Sequence, residues 1–342
     1  MAMSGGAPIA ATPTAIEPDA TLERVRALDM RLATIGYRIA TANAHLCADL
    51  EPATGVQLHS IDQYPGVDRD RLQASFGFAT RVAVGGVVSG SPAAAAGIVQ
   101  NDSLARIGDQ TIPPIFSADD RPRDPTALIN RLYDDLAAGD PHAPMRFDVV
   151  RGDDRLAVSV TPVPACRSRF EVDFASGLDA EADGRLVKLH AGFFDRYADE
   201  LVAVVVAHEL SHNILRHRVR LNDQGVSRGI FAGFGRNVRY FRQTEVEADI
   251  LAVHLLANAG YDPILAGRFW RDYGPGASAG FLASRTHPGW RDRAARSDAE
   301  AARIAAGQGA AIARDFVRRR DQPLDGDWQR LLSPNLSPDG AR

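Results

Sequence analysis

The chain has 342 residues, of which 45% are apolar and 24% charged, with a formal net charge of −4. That is enough chain for two ordinary domains and a tail, with the composition of a soluble globular protein. No Lys/Arg block marks nucleic acid or anionic lipid as the main partner. The longest apolar run, residues 201–207, is far short of the roughly 20 residues that a bilayer span needs.

Residues 1–20 are rich in Ala, Pro, Thr and Gly and contain neither Lys nor Arg nor a hydrophobic signal core. They read as a disordered leader or an expression remnant. An N-terminal helix is expected over residues 21–49, with Thr21 as N-cap and Leu22, Val25, Leu28, Leu32, Ile35 and Ile39 forming one apolar stripe. The stripe must pack on something, and the sequence leaves its partner open. Cys47 and Cys166 flank the segment that follows. They are either a disulfide tying its start to its end, in an oxidising compartment, or two unrelated buried thiols.

Residues 50–165 change character. Short β-type runs at 79–84, 86–88, 104–107, 146–150 and 156–161 alternate with Gly- and Pro-rich turns, and a helix is expected over 125–136. Ser75-Phe76-Gly77-Phe78, followed at once by a strand, is similar to the carboxylate-binding loop of PDZ domains. The runs from Gly90 to Ile98 and from Asn101 to Asp109 resemble the G-S-P-A-x-x-A-G and G-D-x-[IL]-x-x-I-[ND]-G patterns of that family, with Asn101 in place of Gly. The resemblance implies a PDZ-like β-sandwich or barrel, with Phe76, Gly77 and Phe78 as peptide-binding loop and the 125–136 helix as the opposite groove wall. The alternative is a module that only packs on its neighbour.

Residues 166–320 carry the chemistry. The strand expected at 184–191 precedes a helix over 198–217 and is suitably placed to align a substrate backbone beside it. His190, on that strand, reads as structural. The helix contains His208-Glu209-Leu-Ser-His212. At i and i+4 the two imidazoles lie on one helical face, where they can share a tetrahedral Zn²⁺. Glu209 then stands beside the open coordination position as general base. His217, in the basic helix end, reads as a surface residue suited to the helix dipole.

Leu215 and Arg218 exclude the H-E-x-x-H-x-x-G-x-x-H pattern, so the third ligand must come from elsewhere. Thr244-Glu245-Val-Glu247-Ala-Asp249 fits: Glu245 and Asp249 share a helical face, while Glu247 points away and is the weaker candidate. Glu245 is then the metal ligand and Asp249 the hydrogen-bond acceptor behind an imidazole.

H-E-L-S-H, then E-x-E-A-D, then Ser284-Arg-Thr286-His287-Pro288, resembles the gluzincin metallopeptidases grouped with HtpX, BepA and the CAAX prenyl proteases. The resemblance covers roughly residues 166–296 and lacks the family's usual N-A upstream, where Leu178-Asp179-Ala180 stands. It implies one zinc per chain on His208, His212 and Glu245. It also gives His287 two readings, oxyanion stabiliser or loop anchor. The segment 218–243, with Gly229, Gly233 and Gly235, could cover the cleft; a helix is expected over 298–320 and a loose tail over 321–342.

The expected fold is α+β, a mainly helical zincin-type domain with a small edge-strand sheet, preceded by the PDZ-like module. The expected function is a zinc endopeptidase acting on misfolded or envelope proteins, in the periplasm or cell envelope, with the cytoplasm as alternative. Its partners are protein or peptide substrates, without nucleic acid or a membrane span; peripheral membrane association stays open. The rival is a latent or non-proteolytic chaperone or scaffold working through the PDZ-like module.

Overall fold

A computed structural model gives the structure of the protein and describes residues 18–113, 115, 122–226, 237–277 and 288–332. After α1 (Ala20–Ala42) come β1 (Leu50–Ala53), β2 (Val56–Ser60), α2 (Arg69–Phe76), β3 (Val82–Val87), the single turn α3 (Pro92–Ala95), β4 (Ser103–Ile107) and β5 (Gln110–Thr111). They are followed by α4 (Ala127–Ala137), β6 (Met145–Arg151), β7 (Asp154–Val160) and β8 (Val163–Cys166). The second half runs β9 (Arg169–Asp173), β10 (Ala180–Ala182), β11 (Leu186–His190), α5 (Gly192–Arg196), α6 (Asp199–Ile214), α7 (His217–Asp223) and α8 (Asn237–Asn258). It closes with α9 (Ile264–Ala277), α10 (Trp290–Ala305) and α11 (Gly309–Arg319). The architecture is α+β, and among the described residues no helix is long and apolar enough to cross a membrane.

The N-cap of α1 is Asp19 rather than Thr21: its carboxylate accepts from the backbone N–H groups of Thr21 and Leu22 at 2.8 and 3.3 Å. Asp19 also pairs with Arg71, and its N–H donates to Ser75 Oγ at 2.9 Å, so the end of the expected leader is anchored. The stripe on α1 serves two cores. Leu28, Leu32, Ile35 and Ile39 join the helical core built on α6 and α8, whereas Leu22 packs with Leu72, Phe76 and Phe78. Two glycines permit this seating. A Cβ on Gly36 would lie 2.5 Å from the Phe170 ring, and one on Gly86 would lie 2.3 Å from Met30 Sδ.

The larger sheet has the order β2-β3-β4-β6-β7, with β5 beside β4, and its pairings are antiparallel. Residues 82–87 form one strand where two short runs are expected, because the chain passes through Gly85 and Gly86 with a register shift against β2. Asn101, in the position where the PDZ pattern has Gly, adopts φ +69°, a left-handed conformation that Asn tolerates better than most residues. Its Oδ1 accepts from Arg26 Nη1 at 2.6 Å. β1 and β8 pair antiparallel beside the Cys47–Cys166 disulfide, closing the start of this segment onto its end.

The small sheet is ordered β10-β11-β9, antiparallel then parallel. The helix expected over 298–320 is two helices, because Gly307 at φ +76° ends α10 and the chain restarts as α11. The first part of the expected tail is packed: Leu324 and Leu331 are buried, and Trp328 rests on the main core.

Candidate metal centre

The run 201–207 is buried along its length, so α6 is a core helix and its His-bearing turn is held without freedom to swing. Against it packs α8, buried from Gln243 to Leu256. The two helices bring His208, His212 and Glu245 together as a group that could hold a metal ion. His208 Nε2 and His212 Nε2 are 3.1 Å apart, and the carboxylate of Glu245 stands 3.4 Å from the first and 3.5 Å from the second. Ligand atoms at about 2.0–2.1 Å from a tetrahedral ion lie about 3.3 Å from one another, so the spacing and the N,N,O donor set fit such an ion.

Each imidazole is backed by a different partner. Behind His208, Asp249 Oδ1 lies 3.2 Å from Nδ1. Arg293 from α10 grips Asp249 through two hydrogen bonds of 2.7 and 2.8 Å, and its guanidinium lies 3.4 Å over the ring of Trp270. Behind His212 stands His217, Nδ1 to Nδ1 at 2.8 Å, and behind that Glu247 at 3.0 Å. His217 is therefore not a surface residue. Arg216 adopts φ +53° and breaks the helix after α6, folding His217 back over His212 and burying it. Glu247, which points away from the ligand face, meets this second layer and also accepts from Arg220 at 2.6 Å.

Burial lowers the pKa of His208, but the hydrogen bonds it donates to Asp249 and Glu245 outweigh it and raise the value to about 9. Burial drives that of His212 well below its usual range. Asp249 is buried, yet Arg293 and His208 hold its carboxyl down at about 2. Glu209 is pushed up to about 7, chiefly by burial, with the charge of His208 opposing and that of Glu245 adding. A carboxyl poised near neutrality can both take up and release a proton.

The group opens into a cleft of about 760 Å³ whose lining includes Glu209, Phe193, Trp270, Tyr273 and Trp290. The edge strand on this cleft is β10, whereas the strand expected to lie beside the metal, β11, runs inside the sheet between β10 and β9. β10 includes Ala180 of the Leu178-Asp179-Ala180 segment. His190 on β11 stands 3.8 Å from Asp179 and 4.0 Å from Asp173, and is not among the ligand group. His287, Ser284 and Thr286 lie outside the described residues, as do Gly229, Gly233 and Gly235 of the expected cover.

The loop Phe76-Gly77-Phe78 is engaged internally. Phe76 and Phe78 are buried against His59, and the N–H of Gly77 closes α2 onto Gln73 O at 2.9 Å. β3, the strand after that loop, is paired on both sides, by β2 and β4. The outer edge of β2 is blunted as well: the N–H groups of Val56, Leu58 and Ser60 donate to Thr54 Oγ1, Tyr133 Oη and Gln63 Oε1 at 3.4, 2.8 and 2.9 Å.

Arg293, Trp270, Arg220 and the inward role of His217 escape a reading of the sequence. Arg293 follows the Thr286-His287-Pro288 segment with no spacing tied to H-E-x-x-H. His217 is five residues from His212, about 140° round an unbroken helix. Neither a protein-family model nor a curated protein matches the chain.

Proposed function

We propose that the chain is a zinc-dependent endopeptidase of the gluzincin type that its motifs resemble. The observation that carries this reading is the convergence of His208, His212 and Glu245 at ligand spacing on a cleft that Glu209 also lines. His208 and His212 would hold zinc through Nε2 and Glu245 through its carboxylate. Zinc supplies a Lewis acid that polarises a peptide carbonyl and lowers the pKa of an attacking water.

The protein's residues do the rest. Among the described residues β10 has a strand partner on one side only, and on its other edge an extended substrate can align antiparallel, placing a peptide bond over the ligand group. The carboxylate of Glu209 takes the proton of the water as it attacks the carbonyl carbon. It then passes that proton to the amide nitrogen as the C–N bond breaks, leaving an acid and an amine. Phe193, Trp270 and Tyr273 give the cleft an aromatic wall that excludes water and favours bulky apolar side chains. In this reading unfolded segments reach the cleft through β10. Capture by strand addition to the PDZ-like module is disfavoured by the internal pairing of β3 and the capped edge of β2. The disulfide suits an oxidising compartment such as the periplasm.

Cleavage of an unfolded protein such as casein tests the proposal. Activity should vanish on chelation and return with stoichiometric Zn²⁺. Cleavage that persists through exhaustive chelation would refute it.

A further inference from the structure

The two candidate imidazole ligands are supported differently. His208 has a carboxylate directly behind it, Asp249 at 3.2 Å. His212 has a second imidazole, and the carboxylate stands one residue further back. The Nδ1 atoms of His212 and His217 are 2.8 Å apart, and Nε2 of His217 is 3.0 Å from Glu247 Oε2.

The direction of this chain follows from its far end. Arg220 donates to Glu247 Oε2 at 2.6 Å and Gln243 to Oε1 at 2.9 Å, so Glu247 stands as a carboxylate and can only accept. His217 must then carry its hydrogen on Nε2. As a neutral ring it has a bare Nδ1, which accepts from Nδ1–H of His212. That leaves Nε2 of His212 without a hydrogen, facing the ligand group.

We infer that His217 is a positioning residue that fixes His212 in the tautomer whose Nε2 can ligate, with Glu247 fixing His217 in turn. The inference rests on the metallopeptidase reading and deepens it. Backbone geometry supplies the device: the left-handed Arg216, at φ +53°, turns His217 back toward a residue it would otherwise face away from. The segment after α11 locks the far end. Gln322 O accepts from Arg220 Nε at 2.9 Å, and Gly326 N–H donates to Gln243 Oε1 at 2.7 Å. The residues expected to form a loose tail therefore help to hold a metal ligand in register.

Two measurements on the full chain test this. Long-range ¹H–¹⁵N spectra of the histidine-labelled protein with Zn²⁺ read ring tautomers directly and need no variant. They should show His217 protonated on Nε2 and His212 on Nδ1; a hydrogen on Nδ1 of His217 would overturn the inference. Zn²⁺ affinity, by competition with a chromophoric chelator, is then compared among wild type, His217→Gln and His217→Leu. His217→Leu should lose about 10–100-fold, and its Co²⁺ form should show shifted d–d bands. His217→Gln, which can accept from His212 and donate to Glu247, should recover most of the affinity. Equal losses in both variants, or none in a folded His217→Leu, would overturn the inference while leaving the metal site standing. A wild-type protein that binds no Zn²⁺ would instead remove the metallopeptidase reading beneath it.

Discussion

Asp249 Oδ1 stands 3.2 Å from Nδ1 of His208, on the side of the ring away from Glu245, and is itself pinned by Arg293. Asp249 thus has two duties, orienting an imidazole and neutralising a buried guanidinium. Asp249→Ala should weaken Zn²⁺ binding about 10–100-fold. It should also cost about 3–5 kcal/mol of stability, because Arg293 is left buried without its nearest carboxylate, Glu245 standing further off at 3.5 Å. Pairing Asp249→Leu with Arg293→Met should restore the melting temperature and leave metal affinity low. Recovery of both together would show that Asp249 does not act on His208.

The pKa values of Asp29 and Glu51 are each raised to about 7, chiefly by burial; Glu171 adds to the effect at Asp29, while Ser168 and nearby arginines oppose it at Glu51. A carboxyl whose folded pKa lies above its unfolded value binds more protons in the native state between the two values. Stability then falls as pH rises from about 4 to about 7, and the loss is complete above that. Asp29→Asn and Glu51→Gln should raise the melting temperature by about 2–4 °C or more at pH 8, with little change at pH 4. A gain of equal size at both pH values would exclude ionisation as its cause.

The Cys47–Cys166 bond closes a loop with a sequence separation of 119 residues and ties the turn that follows α1 to the end of β8. Reduction, or Cys47→Ser with Cys166→Ser, should cost about 2–5 kcal/mol of stability. Thermal melts with and without reductant check this: wild type should drop to the level of the double variant, and the double variant should be indifferent to reductant. A wild-type melt unmoved by reductant would argue against the bond.

The parts of the site legible in the sequence are those that follow helical periodicity. His208 and His212, one turn apart, and Glu245 and Asp249, one turn apart, need only regular helices to face one way, and α6 and α8 are regular there. Where the backbone departs from regularity the pattern gives no warning. The left-handed Arg216 brought His217 inward, Gly307 divided an expected helix, and β10 took the edge expected of β11. Contacts across the fold were equally hidden, since Arg293 meets Asp249 over 44 residues of chain. The β-rich half shows the same limit. Its turn motifs lie at the ends of strands and helices, but no sequence pattern announces that β2 lies alongside β3 or that Tyr133 caps its outer edge.

In the proposed reaction Glu209 moves the proton at a zinc site built from His208, His212 and Glu245. Metal analysis and casein cleavage by wild type and Glu209→Gln test it most directly. One zinc per chain in both proteins is predicted, with cleavage lowered at least 10²-fold in the variant. Cleavage undiminished in Glu209→Gln, or no zinc in either protein, would contradict it.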